Sequence, residues 1–267
     1  MEGCSFTIVV PNYNNAQWLD KMFESIYAQT YKDYSVIFVD DVSTDNSVDI
    51  ATKWSDKFKE LSSEVDVLVN AEKRWNGGSR NAARSSHLWE PGGYTLFLDS
   101  DDWFADEHCL EDIASALKAN NYPDLLRLSY LTLIGEEVGY SNLGDQDTVN
   151  KIVSNNNVAC WTKCVKTEKL VPFPENTLME DVTQHIAQLD NVDTVAASSR
   201  GVIVWNRNNS NSCSRDTKLQ GAKWESSLYR YYADLLDLRV SRPECQVELE
   251  RRRAIAHDNV LNGRFEQ

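Results

Sequence analysis

The chain has no apolar run near the roughly 20 residues that a bilayer-spanning helix needs. It is short of positive charge, with 27 Lys and Arg against 41 Asp and Glu, a net charge of -14 and a pI near 4.7. A surface of that sign repels phosphate backbones and anionic lipid heads, so a broad nucleic-acid or membrane footprint is disfavoured. Paired cysteines are missing too. The six stand at 4, 109, 160, 164, 213 and 245, none in a CxxC pair, and the CxxxC of Cys160 and Cys164 has no second pair to complete a zinc site. Reduced thiols and a cytoplasmic location are the expectation. The acidic start Met1-Glu2-Gly3-Cys4 leads into an apolar run and does not read as a secretory leader. The four histidines, His87, His108, His185 and His257, are dispersed and match no hydrolytic triad. Internal repeats and low-complexity segments are absent as well.

What is present is a large stock of core-forming residues, 42% apolar with eight Trp, eleven Tyr and eight Phe. Over the first hundred residues short β-favouring runs alternate with helical periodicity, the pattern of an α/β protein with a mostly parallel sheet. The spacing predicts strands over 6–10, 36–39, 65–69 and 94–98. Between them it predicts helices carrying Trp18, Leu19, Met22, Phe23 and Ile26, then Val48, Ala51, Trp54, Phe58 and Leu61, and one opened by Gly77-Gly78-Ser79. Beyond residue 105 the pattern loosens: a helix over 106–120, a strand over 125–134, a polar loop over 135–150, strands near 158–165 and 201–205. A helical tail from Lys218 carries Trp224, Leu228, Tyr231, Leu235 and Leu238, and Pro243 divides it.

Acids close at least two of these strands. Phe38-Val39-Asp40-Asp41 ends the second and Phe97-Leu98-Asp99-Ser100-Asp101-Asp102 the fourth. In open α/β sheets the carboxyl edge is where ligands bind. Residues i and i+2 of an extended chain face alike, so Asp99 and Asp101 offer two hard oxygen donors suited to Mg2+ or Mn2+. An acidic turn capping the next helix explains DxDD alone equally well. Likewise Asp40-Asp41-Val42-Ser43-Thr44-Asp45 is by itself a helix-capping turn, and Glu180-Asp181 at a helix start is ordinary dipole complementation.

Taken in order, Val9-Val10-Pro11-Asn12-Tyr13-Asn14, Val39 to Asp45, Phe97 to Asp102 and Glu180-Asp181 resemble the family 2 glycosyltransferases of the GT-A fold, over about residues 5 to 215. The resemblance implies a GT-A domain over 1–215, with a nucleotide half over about 1–104 and an acceptor half over about 105–215, followed by a C-terminal helical extension over 216–267. It implies that Pro11 and Tyr13 line the base, that Asp41, or its neighbour Asp40, binds uracil or ribose, and that Asp99 meets the ribose. Ser100 stands between Asp99 and the metal ligand Asp101, with Asp102 sharing the metal role. Arg80, in Gly77-Gly78-Ser79-Arg80-Asn81-Ala82-Ala83, approaches the donor, with Arg84 as the competing assignment. Trp161 and Lys163 belong to the acceptor side, and Trp161 is equally at home in a core. Asp181 matches the catalytic base, with Glu180 beside it. Arg207 and Arg215, in the Ser-rich stretch with Ser210, Ser212 and Ser214, neutralise the leaving diphosphate.

The function so implied is inverting transfer of a sugar from a nucleotide donor, UDP-linked first, to an acceptor hydroxyl, with Mn2+ or Mg2+ as cofactor and a saccharide or lipid-linked acceptor as partner. A hydroxymethylated base of phage DNA is the alternative acceptor, against which the acidic balance counts. Two rivals are a sugar-phosphate nucleotidyltransferase, which calls for a Gly-rich loop where this chain has Pro11-Asn12-Tyr13-Asn14-Asn15, and a non-catalytic nucleotide-sugar-binding protein.

Overall fold

The computed structural model describes residues 4–61, 63–155, 157–177, 179–210, 212 and 222–262, with backbone only for 222–225. The chain opens on β1 (Phe6–Asn12), whose seven residues are all buried. An amphipathic helix, α1 (Ala16–Tyr27), follows and packs Leu19, Met22, Phe23 and Ile26 inward. Next come β2 (Tyr34–Asp40), α2 (Ser47–Phe58), β3 (Val65–Val69), α3 (Trp75–Ala82) and β4 (Tyr94–Phe97). A short β5 (Trp103–Phe104) leads into α4 (Cys109–Ala119), the hairpin β6 (Leu125–Ile134) and β7 (Glu137–Ser141), and α5 (Val149–Ser154). The rest is β8 (Lys163–Lys166), α6 (Glu180–Asp190), β9 (Val195–Asn206), α7 (Ala222–Asp237) and α8 (Pro243–Asn262), the last with proline at its first position, where no amide donor is needed.

Among the described residues one sheet runs β3-β2-β1-β4-β8-β6-β9-β5, with β7 on β6. The four strands of the first half pair in parallel. β1, β2 and β4 are buried, which is why they read as near-continuous apolar runs, whereas the edge strand β3 is only half-buried. From β4 onward the sheet is mixed: β8 is antiparallel to β4 and β6, β9 parallel to β6, and β5 antiparallel to β9. The parallel pairing expected over the first hundred residues is found there, and the antiparallel pairs lie from β4 onward.

The order also creates the site. From β1 the chain steps to β2 and β3 on one side, and β4 lies on the other, so the switch point falls between β1 and β4. The β1–β4 ladder ends at Val9 and Phe97, and past it the two strands diverge into Asn12–Asn15 and Asp99–Asp102. Pro11 sits just beyond that last rung, where its missing amide leaves no gap in the sheet.

The polar loop expected over 135–150 contains β7 and the start of α5. β7 is a largely exposed edge strand whose Glu137, Val138, Gly139 and Tyr140 all face solvent. The C-terminal hairpin α7–α8 is packed onto the rest of the chain, with α8 against α5 and α6. Its anchor is Asp190, at the end of α6, which accepts from the amides of Ser241 (2.9 Å) and Arg242 (2.7 Å). Five cysteines, Cys4, Cys109, Cys160, Cys164 and Cys245, are free thiols. No helix among the described residues is long and apolar enough to cross a membrane.

Candidate active site

At the edge formed by β1, β2 and β3, both acids of the Asp40-Asp41 pair are buried, and they face different ways. Asp40 accepts from Asn12 Nδ2 (2.8 Å) and the amide of Ser43 (2.8 Å), which holds the turn after β2. Asp41 accepts from Asn70 Nδ2 (2.8 Å) and from the amides of Arg74 (2.7 Å) and Trp75 (2.8 Å), clasping the loop after β3. Three non-glycine residues here, Asn14, Val42 and Trp75, adopt φ of 51°, 63° and 60°. For β-branched Val42 that conformation is costly, and such strain collects where a loop is held for a ligand. Tyr13 is 44% exposed at the mouth of this edge. Lys73 lies over its ring and reaches Asp41 Oδ2 at 3.1 Å. Lys73 and Asn70 were invisible as site residues in the sequence, since a lysine in a polar loop looks like any solvated one.

The centre of the site is Arg80, whose side chain is 1% exposed. Its guanidinium donates to Glu180 Oε1 (2.7 Å), Asp99 Oδ1 (2.9 Å) and Asp181 Oδ1 (3.4 Å). One buried cation thus joins the end of β4 to the start of α6, whose Glu180 lies 100 positions from Arg80. Gly77 permits it: a Cβ there would lie 2.1 Å from Pro174 O and 3.2 Å from Glu180 Cβ. Burial pushes the carboxyls of Glu180 and Asp99 up, the charge of Asp181 adds to both, and Arg80 opposes the rise. Glu180 is the enclosed member, its side chain 7% exposed against 27% for Asp181.

Burial, and then the charge of Asp99, raises Asp101 to about 6. Its Oδ2 accepts from Asn209 Nδ2 (2.7 Å), which also reaches Asn15 Oδ1 (3.1 Å), while Asn15 Nδ2 donates to Ser100 Oγ (2.9 Å). Asn15 and Asn209 are site residues that the sequence reading missed; asparagine-rich runs look the same in turns. Asp102 turns the other way. It is 1% exposed, accepts from the amide of Asn206 (2.8 Å), and so ties β5 to β9 rather than facing the cleft.

Asp99 and Asp101 each keep one carboxylate oxygen without a hydrogen bond among the described residues. No three His, Cys, Asp or Glu side chains among those residues form a ready cage. That donor set fits Mg2+ or Mn2+, which take one or two carboxylates and complete their shell with water and substrate phosphate. Around Arg80 stand Asp99, Glu180 and Asp181, with Asp101 beside Asp99, a concentration of negative charge that a divalent ion would offset.

Other expected residues fall elsewhere. Trp161 is in the core, its ring 4.9 Å from Tyr130 and 5.9 Å from Trp205, because the turn at 160–162 enters β8 in mid-sheet. Lys163 is buried with its ammonium on the carbonyls of Val158 (2.8 Å) and Ala159 (2.9 Å), and burial, reinforced by Arg127, lowers it to about 7. Neither presents a surface to an acceptor. Arg84 donates to Leu170 O (2.8 Å) and stacks on Trp89, so of the two arginines it is Arg80 that meets the acids. Arg207 lies over the Trp205 ring, at 4.7 Å. Arg215 and Ser214 lie outside the described residues, as do the side chain of Trp224 and Cys213.

Comparison with known proteins agrees with this geometry. Residues 7–130 match the sequence model of glycosyl transferase family 2. A UDP-Glc:alpha-D-GlcNAc-diphosphoundecaprenol beta-1,3-glucosyltransferase of Escherichia coli is 28% identical over 178 residues, covering 65% of this chain and 64% of the relative. The chain spans less than two thirds of the length of the curated relatives it matches first. In structure, Staphylococcus aureus TarS 1–349 in complex with UDP-GlcNAc superposes with a TM-score of 0.73 at 19% identity, over 95% of this chain and 72% of the other. A Pyrobaculum calidifontis mannosyltransferase in complex with GDP-Man and Mn2+ gives a TM-score of 0.65 at 16% identity, over 97% and 70%. The fold is GT-A, and its N-terminal part, residues 7–130, matches glycosyl transferase family 2.

Proposed function

We propose that this protein transfers a sugar, with inversion, from a nucleotide-sugar donor, UDP-linked first, to a hydroxyl of a saccharide or lipid-linked acceptor. The observation that carries the reading is the Arg80 knot, which holds Asp99 and Asp181 against one guanidinium. The donor nucleotide lies along the edge of Tyr13 and Asp41, with its ribose toward Asp99. A divalent cation, Mn2+ or Mg2+, held by Asp99 and Asp101 would offset the charge that grows on the leaving diphosphate. Asp181 takes the proton of the acceptor hydroxyl as that oxygen attacks the anomeric carbon from the face opposite the diphosphate. Being less enclosed than Glu180, it has the open approach that a base needs. Glu180 and Arg80 fix the start of α6, so that Asp181 is aimed before substrate arrives. Asn209 orients Asp101, and Arg207 serves the diphosphate side of the same loop. The free thiols agree with a cytoplasmic setting.

A panel of nucleotide sugars assayed for hydrolysis with Mn2+ tests the reading without knowledge of the acceptor. Asp181→Asn is expected to lower turnover by about 10²- to 10⁴-fold, the range for a lost general base, while UDP still binds by calorimetry. Loss of UDP binding in that variant would move Asp181 to the nucleotide site, and no turnover of any donor by the wild type would leave a binding protein.

A further inference from the structure

The carboxylate of Asp41 has every acceptor position filled. A carboxylate offers about four lone-pair sites, and four donors among the described residues meet this one. Oδ1 takes Asn70 Nδ2 (2.8 Å) and the amide of Arg74 (2.7 Å). Oδ2 takes the amide of Trp75 (2.8 Å) and the ammonium of Lys73 (3.1 Å). The Asp41 side chain is 3% exposed. A nucleobase that uses Asp41 must therefore replace one of these donors.

Three of the donors are fixed. The amides of Arg74 and Trp75 stand at the start of α3, where a helix has no carbonyl of its own to offer them. The guanidinium of Arg74 is also tied to Glu175 (2.8 Å), which holds the loop from behind. Asn70 Nδ2 is shared with Ser79 Oγ (3.1 Å), and the Asn70 amide donates to Asp40 O (2.9 Å). Lys73 differs. It lies between these anchors on a flexible four-carbon stem. Its side chain is 33% exposed, so water is at hand for the ammonium when it turns away.

The same ammonium covers a second surface. It lies 2.7 Å from the centre of the Tyr13 ring and 5.7 Å from that of Trp75. Tyr13 is exposed at this edge and offers the flat face on which a base can stack. One cation thus holds both the acceptor that would take a base N–H and the ring that would take its face.

We propose that Lys73 is a displaceable stopper of the nucleobase site. A nucleoside binds by putting a ring N–H on Asp41 and its flat face on Tyr13 in place of the ammonium, which swings out to solvent. The stopper lowers apparent affinity by the fraction of molecules in which it is seated. It also selects for bases with an in-plane N–H, because a base without one leaves the buried carboxylate unpaired when the lysine departs. This rests on the nucleotide-sugar reading above.

The test is NMR of the full chain with isotope-labelled lysine, titrated with uridine and with N3-methyluridine, whose ring nitrogen carries a methyl in place of hydrogen. The ring current of Tyr13 is expected to place one lysine ε-methylene signal upfield of the rest, assigned to Lys73 by its absence from Lys73→Arg. Uridine is expected to return that signal to the position of the other lysines, and N3-methyluridine to leave it where it was. By calorimetry Lys73→Ala is expected to bind uridine about three- to tenfold more tightly than wild type, the size of a part-exposed ion pair and a cation–π contact that no longer compete. A signal that stays upfield at saturating uridine overturns the inference. So does equal displacement by N3-methyluridine, or uridine binding to Lys73→Ala no tighter than to wild type. Those results leave the nucleotide reading standing. Failure of wild type and Lys73→Ala alike to bind uridine or UDP sinks that reading, and the stopper with it.

Discussion

Replacing Gly77 with alanine probes the contact on which the Arg80 knot depends. An added Cβ would lie 2.1 Å from the carbonyl oxygen of Pro174 and 3.2 Å from Glu180 Cβ. The first neighbour is backbone and cannot rotate away, so α3 and the segment before α6 must separate by about an ångström. Forcing atoms into a packed interior costs about 1–3 kcal/mol, and a shift of ~2 kcal/mol lowers Tm by about 4–8 °C in a chain of this size. The same separation opens the 2.7 Å pair between Arg80 and Glu180, and a displacement of ~1 Å at a catalytic group is worth about 10²-fold in rate. Gly77→Ala is therefore expected to fold with reduced Tm and to hydrolyse its best nucleotide sugar about a hundredfold more slowly. Gly139→Ala is the control, since its new methyl would meet nothing nearer than 3.9 Å. Scanning calorimetry and a nucleotide-release assay on both variants decide the matter. Wild-type Tm and turnover within twofold in Gly77→Ala would refute the coupling between α3 packing and the site.

Asp101→Asn is expected to abolish the gain in UDP affinity that Mn2+ confers, whereas Asp102→Asn keeps it, read by calorimetry with and without Mn2+. Trp161→Phe is expected to leave acceptor KM unchanged, and Trp161→Ala to cost about 3–5 kcal/mol in a urea melt, the price of truncating a core aromatic. Burial acts to raise the Asp124 carboxyl, but the Lys166 ammonium at 2.9 Å and the amides of Asp193 and Thr194 outweigh it and hold the pKa below its ordinary 3.8. Its stabilisation is thus fully present above pH ~4 and lost as pH falls through the native value. Asp124→Asn should melt below wild type at pH 7, with the gap closing at lower pH. Asp190→Ala should cost about 0.5–2 kcal/mol, as removing a cap does, and speed hydrogen exchange at Gln246 and its neighbours.

β1 and β2 were legible because burial on both faces makes them the runs Phe6 to Val10 and Val36 to Val39. The strand expected over 125–134 has those limits as β6. β7 was not legible, because Glu137-Val138-Gly139-Tyr140-Ser141 is an exposed edge, and the strand expected near 158–165 begins only at Lys163, as β8, since its lysines depend on partners far along the chain. The acids of the site could be read because their order along the chain matches the family's. Their electrostatics could not. Whether Arg80 is a solvated helix residue or a buried hub is decided by Glu180 and Asp181, and no local window contains all three. Trp161 illustrates the converse, since an aromatic suited to stacking sugar is equally suited to stacking Tyr130.

The clasp at Asp190 has a mechanical consequence. α6 bears Asp181 in its first turn and Asp190 at its last residue, eleven residues in all, or about 16 Å of rigid rod. Gripped by Arg80 at one end and by the α7–α8 hairpin at the other, it behaves as a strut rather than a cantilever. Substitutions that re-seat the hairpin are thereby passed along the rod to Asp181, the proposed proton acceptor, and on that reading divergence in the tail of the chain is a means of tuning turnover without touching a single residue of the cleft.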